Sequence, residues 1–303
     1  MIYLKHFNLA GSRVEEDYLN YFKRTCFDSY YPFLFFPNKG LEELDFADIT
    51  IFCGGNGSGK STLLNIISEK LGLTRTTPFN KTYFFDPYLD ACSCELTVSD
   101  PVELRNLMGC SQIITSDDVF NHIIAVREKN KNIDFKRQLI FDERDRYKKY
   151  GWTGERPRGF SMDDPESMKV YRDYANKLRR SNTTSRLVRD NVGYSERTYS
   201  NGENGFKYFT DAIQPDGLYL LDEPENSLST EMQLKLVQFL QGMARFYDCQ
   251  FIISSHSPFI LSLPYARIYN LDEYPVSVCK WTELPNVRLY YEFFKEQAAE
   301  FEG

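Results

Sequence analysis

The run Gly54-Gly55-Asn56-Gly57-Ser58-Gly59-Lys60-Ser61-Thr62 fills every fixed position of G-x-x-x-x-G-K-[ST], the phosphate-binding loop. Glycines let successive backbone N–H groups turn inward around anionic oxygens. A helix opening at Lys60 would add its N-terminal N–H groups to the same site. In this arrangement Lys60 reaches the β- and γ-phosphates of a nucleotide, and the Ser61 hydroxyl is a Mg²⁺ ligand. Two further stretches carry chemistry. Leu218-Tyr219-Leu220-Leu221-Asp222-Glu223-Pro224 is an apolar run ending in two acids. Asp222, at the end of such a strand, is placed to hold Mg²⁺, and Glu223 to polarise an attacking water. In Phe251-Ile252-Ile253-Ser254-Ser255-His256-Ser257-Pro258, a histidine at a strand end could hydrogen-bond a γ-phosphate or that water.

These groups need elements to hold them. Ile49–Cys53 reads as a buried strand before the loop, and Leu63, Leu64, Ile66 and Ile67 mark the core face of a helix after it. Asp216-Gly217 is a turn into the strand that ends at Asp222. Ser229 caps a helix with Met232, Leu236, Leu240 and Met243 on its core face. Gln250–Ser254 and Arg267–Leu271 read as further strands, with a short helix opening at Pro258, and residues 287–302 as a terminal helix. Residues 1–53 look β-rich; the prolines in Tyr30–Pro37 forbid a long helix there. Tyr83-Phe84-Phe85 is a strand candidate. Ser116-Asp117-Asp118 is a capping cluster for a charged helical stretch to about Tyr150, followed by the loop Gly151–Gly159 and a helix started by Asp164-Pro165. Strands alternating with helices predict an α/β fold with a mainly parallel sheet.

The net charge of -7 argues against a surface built wholly for nucleic acid, and leaves room only for a local basic patch. No stretch reaches the length of apolar sequence that a membrane span needs, and the N-terminus lacks the pattern of a signal peptide. The seven cysteines are odd in number, and Cys92-Ser93-Cys94 has the wrong spacing for a zinc half-site. Buried free thiols in a reducing cytoplasm are expected.

In their order along the chain, GGNGSGKST, YSNGE, LYLLDEPENSLS and FIISSHSP resemble the ABC-class ATPases, most of all the non-transporter SMC, RecF and OLD-type heads. The resemblance spans residues 1–75 and 195–275. It implies a P-loop NTPase fold with an ABC-like head, an N-terminal β-rich subdomain and a helical insert lobe, using ATP and Mg²⁺. Residues 1–75 and 195–285 would form the nucleotide-binding core of a single domain, 76–194 the insert and 286–303 a C-terminal helix. Tyr199-Ser200-Asn201-Gly202-Glu203 looks like the signature segment, so Ser200 and Gly202 would contact the γ-phosphate held by a second copy. Glu225–Ser229 looks like the loop that couples the two sites, with Ser229 where an Asp is usual. Gln112 stands as the candidate Q-loop glutamine and a further Mg²⁺ contact. A homodimer follows, with two ATP molecules between two heads.

Between Thr62 and Ser200 no sustained heptad pattern appears, so a tethering rod is not expected. Lys177, Arg179, Arg180, Arg186 and Arg189 form a basic run with no acid between them, which reads either as a solvated helical face or as a nucleic-acid contact. The function implied is a soluble, cytoplasmic ATPase that switches between dimer and monomer. It would regulate a separate effector, such as a nuclease, or act on nucleic acid, in DNA repair or anti-phage defence. The stretch after His256 is too short for a nuclease domain of its own. The alternative is the ATP-binding subunit of a transporter whose membrane spans lie on another chain.

Overall fold

Residues 49 to 53 are apolar but for Thr50, and all are buried; they form β3 (Ile49–Cys53), inside the main sheet of the computed structural model. The structure describes residues 1–21, 29–150, 164–166, 168–169 and 201–301. Ahead of β3 come β1 (Leu4–Asn8), α1 (Ser12–Tyr21), a 3-10 turn at Pro37–Lys39 and β2 (Glu43–Asp45). After it come α2 (Lys60–Leu71), α3 (Phe85–Ala91), β4 (Ser93–Leu96), α4 (Pro101–Cys110), β5 (Gln112–Thr115) and α5 (Ser116–Tyr150). The remainder holds α6 (Asn201–Ala212), β6 (Leu218–Asp222), α7 (Thr230–Phe246), β7 (Gln250–Ser254), α8 (Pro258–Leu261), β8 (Arg267–Asn270), β9 (Ser277–Cys279), α9 (Pro285–Glu296) and α10 (Ala298–Phe301).

The main sheet runs β5-β6-β7-β3-β8-β9, with every pairing parallel except β8 with β9. Its inner strands are buried along nearly their whole length, as strands covered on both faces must be. Register aligns their C-terminal ends: Thr115 pairs with Asp222, Asp222 with Ser254, Phe52 with Ser254 and Cys53 with Asn270. One edge of the sheet therefore collects the end of five strands. A second, antiparallel sheet runs β2-β1-β4. The fully buried Gln250 side chain ties the two sheets together: its Oε1 accepts from the N–H groups of Tyr3 (2.9 Å) and Leu4 (2.8 Å), and its Nε2 donates to the carbonyls of Leu4 (2.9 Å) and Ala47 (3.1 Å). A buried amide is tolerated there because all of its polar capacity is used.

The chain divides into two units, Met1–Asn121 with Tyr199–Gly303, and His122–Thr198. The insert thus starts later than the expected residue 76: β4 pairs with β1 and β5 with β6, which binds both segments to the core. In the second unit the described residues are the body of α5 and a helix start at Pro165, where the Asp164 carboxylate accepts from Glu166 N at 3.3 Å as expected of a cap. The Gly151–Gly159 loop and the basic run from Lys177 to Arg189 lie outside the described residues.

Three local expectations are corrected. Tyr83-Phe84-Phe85 is no strand; Phe85 opens α3, where Phe85 and Tyr88 are buried. The cap of α5 is Thr115 rather than the Ser116–Asp118 cluster alone. Asp118 accepts from Thr115 N (2.7 Å) while its own N–H donates to Thr115 Oγ1 (3.3 Å), a reciprocal capping box. The terminal helix starts at Pro285 and breaks at Gln297 into two pieces. By contrast Ser229 caps α7 through Met232 N, and Met232, Leu236, Leu240 and Met243 are its buried face, as the spacing predicts.

The aromatic stretch after α1 is a packed turn. Tyr18 stacks on Phe33 at 4.8 Å, and Phe33 meets Tyr88 edge-on at 5.1 Å. Leu34 takes a positive φ of 66°, and its N–H donates to Glu15 Oε2 at 2.6 Å. Glu15 is fully buried, and its other oxygen has no partner among the described residues. Burial pushes the Glu15 carboxyl up from 4.5 to about 7, against the pull of the Leu34 N–H. The folded state therefore binds a proton that the unfolded chain has already lost. Stability from this group is complete below about 4.5 and is lost as pH rises to about 7. Glu15→Gln should remove that slope: thermal melts should show the variant more stable than the parent at pH 8, with a much smaller difference at pH 5.

Candidate nucleotide-binding site

The loop from Gly54 to Gly59 leaves the C-terminal end of β3 and enters α2 at Lys60, as the motif requires. Gly57 and Gly59 hold positive φ of 78° and 101°. At Gly59 space is also lacking, since a Cβ would lie 2.4 Å from the Phe35 ring. Gly55 N–H donates to both carboxylate oxygens of Asp272, at 3.1 and 2.8 Å, which anchors the loop's first turn to the chain just beyond β8. The Lys60 ammonium is buried and folded back on its own loop, donating to the carbonyls of Gly54 (2.9 Å) and Gly55 (3.1 Å). It also stands 3.5 Å from Glu223 Oε1. The loop thus satisfies its lysine internally, with ligands a phosphate oxygen would replace.

Ser61 Oγ donates to Asp222 Oδ1 at 3.0 Å, and Ser254 Oγ donates to the same oxygen. Burial pushes the Asp222 carboxyl up, and these two hydroxyls pull it back. Glu223 follows at φ 46°, a left-handed conformation that a non-glycine residue holds at a cost of order 1–3 kcal/mol. Its N–H donates to Ser254 O and Ser254 Oγ, both at 3.1 Å. Its carboxylate is steadied by Asn226, whose Nδ2 donates to Oε2 at 2.9 Å. The pocket over the loop, of about 380 Å³, is bounded by Tyr31, Phe35, Lys60, Ser61, Thr62 and Glu223.

Seven expected residues meet here, among them Gly59, Lys60, Ser61, Thr62 and Glu223, with Asp222 bonded to Ser61 beneath them. Asn56 and Gly57 line the same pocket, while Ser58 is buried under the loop. His256 is half-exposed and lines a neighbouring pocket of about 440 Å³, with Gly54, Asn56, Asp272, Asn286 and Tyr290. Its N–H donates to Glu225 Oε1 at 2.8 Å, and its Nδ1 lies 3.4 Å from that oxygen.

Gln112 is a correction. It is the first residue of β5, opposite Tyr219, and its Nε2 donates to Ala212 O at 2.8 Å. Thr115, at the other end of the strand, is the residue level with Asp222, so Gln112 lies at the wrong end of the sheet to touch a metal there. Gly202 sits in the first turn of α6, where a Cβ would be 3.1 Å from Ser229 N; close packing against the cap of α7 is one reason for glycine at this position. Ser200 lies outside the described residues. Ser229 Oγ accepts from Met232 N as the cap of α7, and Glu225 Oε1 is engaged by the 255–257 loop.

Sequence reasoning missed five contributors. Tyr31 shares a hydrogen bond with Thr62 Oγ1, and with Phe35 it walls the pocket. Asp272 and Ser254 act through backbone and carboxylate contacts that no motif announces. Asn226 lay within a quoted motif, but its bond to Glu223 depends on the turn at that residue.

A family model described as "AAA domain, putative AbiEii toxin, Type IV TA system" matches residues 206–262, the segment holding Asp222, Glu223 and His256. No curated protein matches the chain. Among solved structures, the Smc head domain from Pyrococcus furiosus, with an extended coiled coil and bound to the C-terminal domain of ScpA, is 12% identical over 98% of this chain and 99% of that one, with a TM-score of 0.43. The dimeric post-hydrolysis state of the ATP-binding cassette MJ0796, bound to ADP and Pi, is 15% identical over 80% and 90%, with a TM-score of 0.36. The chain's own loop, strand order and acidic strand end are those of a P-loop nucleotide-binding fold.

The glycines of the site make separable demands. Gly59→Ala should cost about 2 kcal/mol or more, because backbone strain adds to the contact with Phe35, and nucleotide binding should be lost. Gly72→Ala, at φ 66° in open space, should cost about 1 kcal/mol and leave binding intact. Denaturant melts and fluorescent-nucleotide titration of both variants check this.

Proposed function

We propose that the chain is an ATP-hydrolysing switch, in which two copies close head to tail over two nucleotides and part after hydrolysis. The observation that carries this reading is the 3.0 Å bond between Ser61 Oγ and Asp222 Oδ1 at the foot of a pocket that also holds Lys60 and Glu223. A hydroxyl and a carboxylate this close offer the hard oxygen ligands that Mg²⁺ takes, with room left for water and phosphate oxygens. Ser61 and Asp222 would hold the ion, which when bound neutralises charge on the β- and γ-phosphates.

The remaining roles fall to this chain's own groups. Lys60 would exchange the carbonyls of Gly54 and Gly55 for phosphate oxygens, and in doing so release Glu223. Glu223, steadied by Asn226, would accept a proton from the attacking water, with His256 at the rim of the loop as a hydrogen-bond partner for the γ-phosphate. In the dimer, Ser200 and the N-terminus of α6 at Gly202 would reach the partner copy's nucleotide. Hydrolysis would then shift the population from closed to open. The match to a family described as a toxin of a toxin–antitoxin system supports a setting in which the switch governs a separate effector, such as a nuclease.

Glu223→Gln should lower turnover at least 100-fold, within the range for loss of a general base. It should also accumulate an ATP-bound dimer, read by light scattering with and without ATP and Mg²⁺. A Glu223→Gln chain that binds ATP yet stays monomeric would defeat the switch. Lys60→Ala should bind no nucleotide and serve as the blank.

A further inference from the structure

The turn at Pro224–Ser227 carries a second acid whose position the phosphate chemistry does not explain. Glu225 is buried, with only 5% of its surface exposed. All its hydrogen bonding is directed at one short loop: Oε1 accepts from Ser255 Oγ (2.8 Å), His256 N (2.8 Å) and Ser257 N (3.2 Å). The same oxygen lies 3.4 Å from His256 Nδ1, while Oε2 has no partner among the described residues. A buried carboxylate is costly, and here it is spent on a segment that β7 already delivers to the right edge of the sheet. From the other side Asn286 Nδ2 donates to His256 O at 3.4 Å.

We propose that Glu225 is the positioning residue for His256, fixing the proton on Nδ1 and turning Nε2 toward the phosphate-binding loop. A carboxylate beside one ring nitrogen selects the tautomer with hydrogen on that nitrogen, as in the acid–histidine pairs that orient metal ligands and catalytic bases. His256 Nε2 has no hydrogen bond among the described residues, and the ring lines the pocket that Gly54, Gly55 and Asn56 also line. The backbone bonds from residues 256 and 257 fix where the ring starts, and they leave Nδ1 3.4 Å from Oε1, near enough for the carboxylate's charge to favour a proton there. Glu225 touches no reacting atom and acts through the histidine. The inference rests on the proposed ATPase reading for its consequence in turnover, but not for the tautomer.

The test uses the full chain with Glu225→Gln, His256→Ala and the double variant, each checked by thermal melting for folding. Acting through His256, Glu225→Gln should lower kcat about tenfold, with KM for ATP within about twofold, as loss of an orienting partner does. Added to His256→Ala it should lower kcat no further, whereas a residue that only props up the fold would add its full effect. Imidazole ¹⁵N spectra read the ring directly. With three histidines in the chain, His256 is assigned by its loss in His256→Ala. The parent should show the Nδ1–H tautomer and Glu225→Gln a shift toward Nε2–H; should Glu225→Gln fail to fold, Glu225→Asp keeps the charge, withdraws it by one methylene and should show the same shift. Unchanged spectra, or additive losses of kcat, would overturn the proposal. An inactive chain that still shows the tautomer shift would defeat the ATPase reading and leave Glu225 in its role.

Discussion

The site depends on one constraint, the in-register parallel pairing of β6, β7 and β3. That register puts Asp222 opposite Ser254 and Ser254 opposite Phe52, one residue short of the end of the strand that leads into the loop. A slip of one residue would turn every side chain on a strand to the other face. Asp222 would then leave Ser61 and Ser254, and the carboxylate would be buried without its hydroxyls. The apolar runs that make the strands unable to leave the core therefore also determine where the acids end up. Gln250 strengthens the same register from the opposite end, because its four bonds to residues 3, 4 and 47 can form only in one alignment.

Much of this was legible in the sequence where one residue type has one physical use. Glycines before a Lys-Ser pair, an apolar run ending in two acids, and a serine followed by apolar residues at helical spacing each led to the element observed. The failures came where local chemistry permits several answers. Tyr83-Phe84-Phe85 has strand propensity, but a helix lets Tyr88 meet Phe33 in the aromatic turn while Phe85 packs on Phe79. Gln112 fits by residue type alone, and strand direction, which a single glutamine does not reveal, puts it at the far end of β5. Tyr31 and Asp272 were out of reach because their roles depend on contacts with residues far away in the chain.

The turn after Asp222 concentrates control in few residues. Glu223 in a left-handed conformation reverses the chain, so that Asn226 returns to the Glu223 carboxylate while Glu225 passes beneath to the loop bearing His256. Strain of this kind persists only where surrounding bonds over-determine it, and the two bonds from Glu223 N to Ser254 do so here.

The strand order also bears on how the molecule comes into being. β3 carries the phosphate-binding loop, yet both its neighbours, β7 and β8, belong to the last quarter of the sequence. While the ribosome is still making the middle of the chain, the loop-bearing strand has neither edge paired. Its apolar side chains must wait, shielded or aggregation-prone, until the final strands emerge. The phosphate-binding loop of a nascent chain thus lacks its supporting strands until β7 and β8 have both been made.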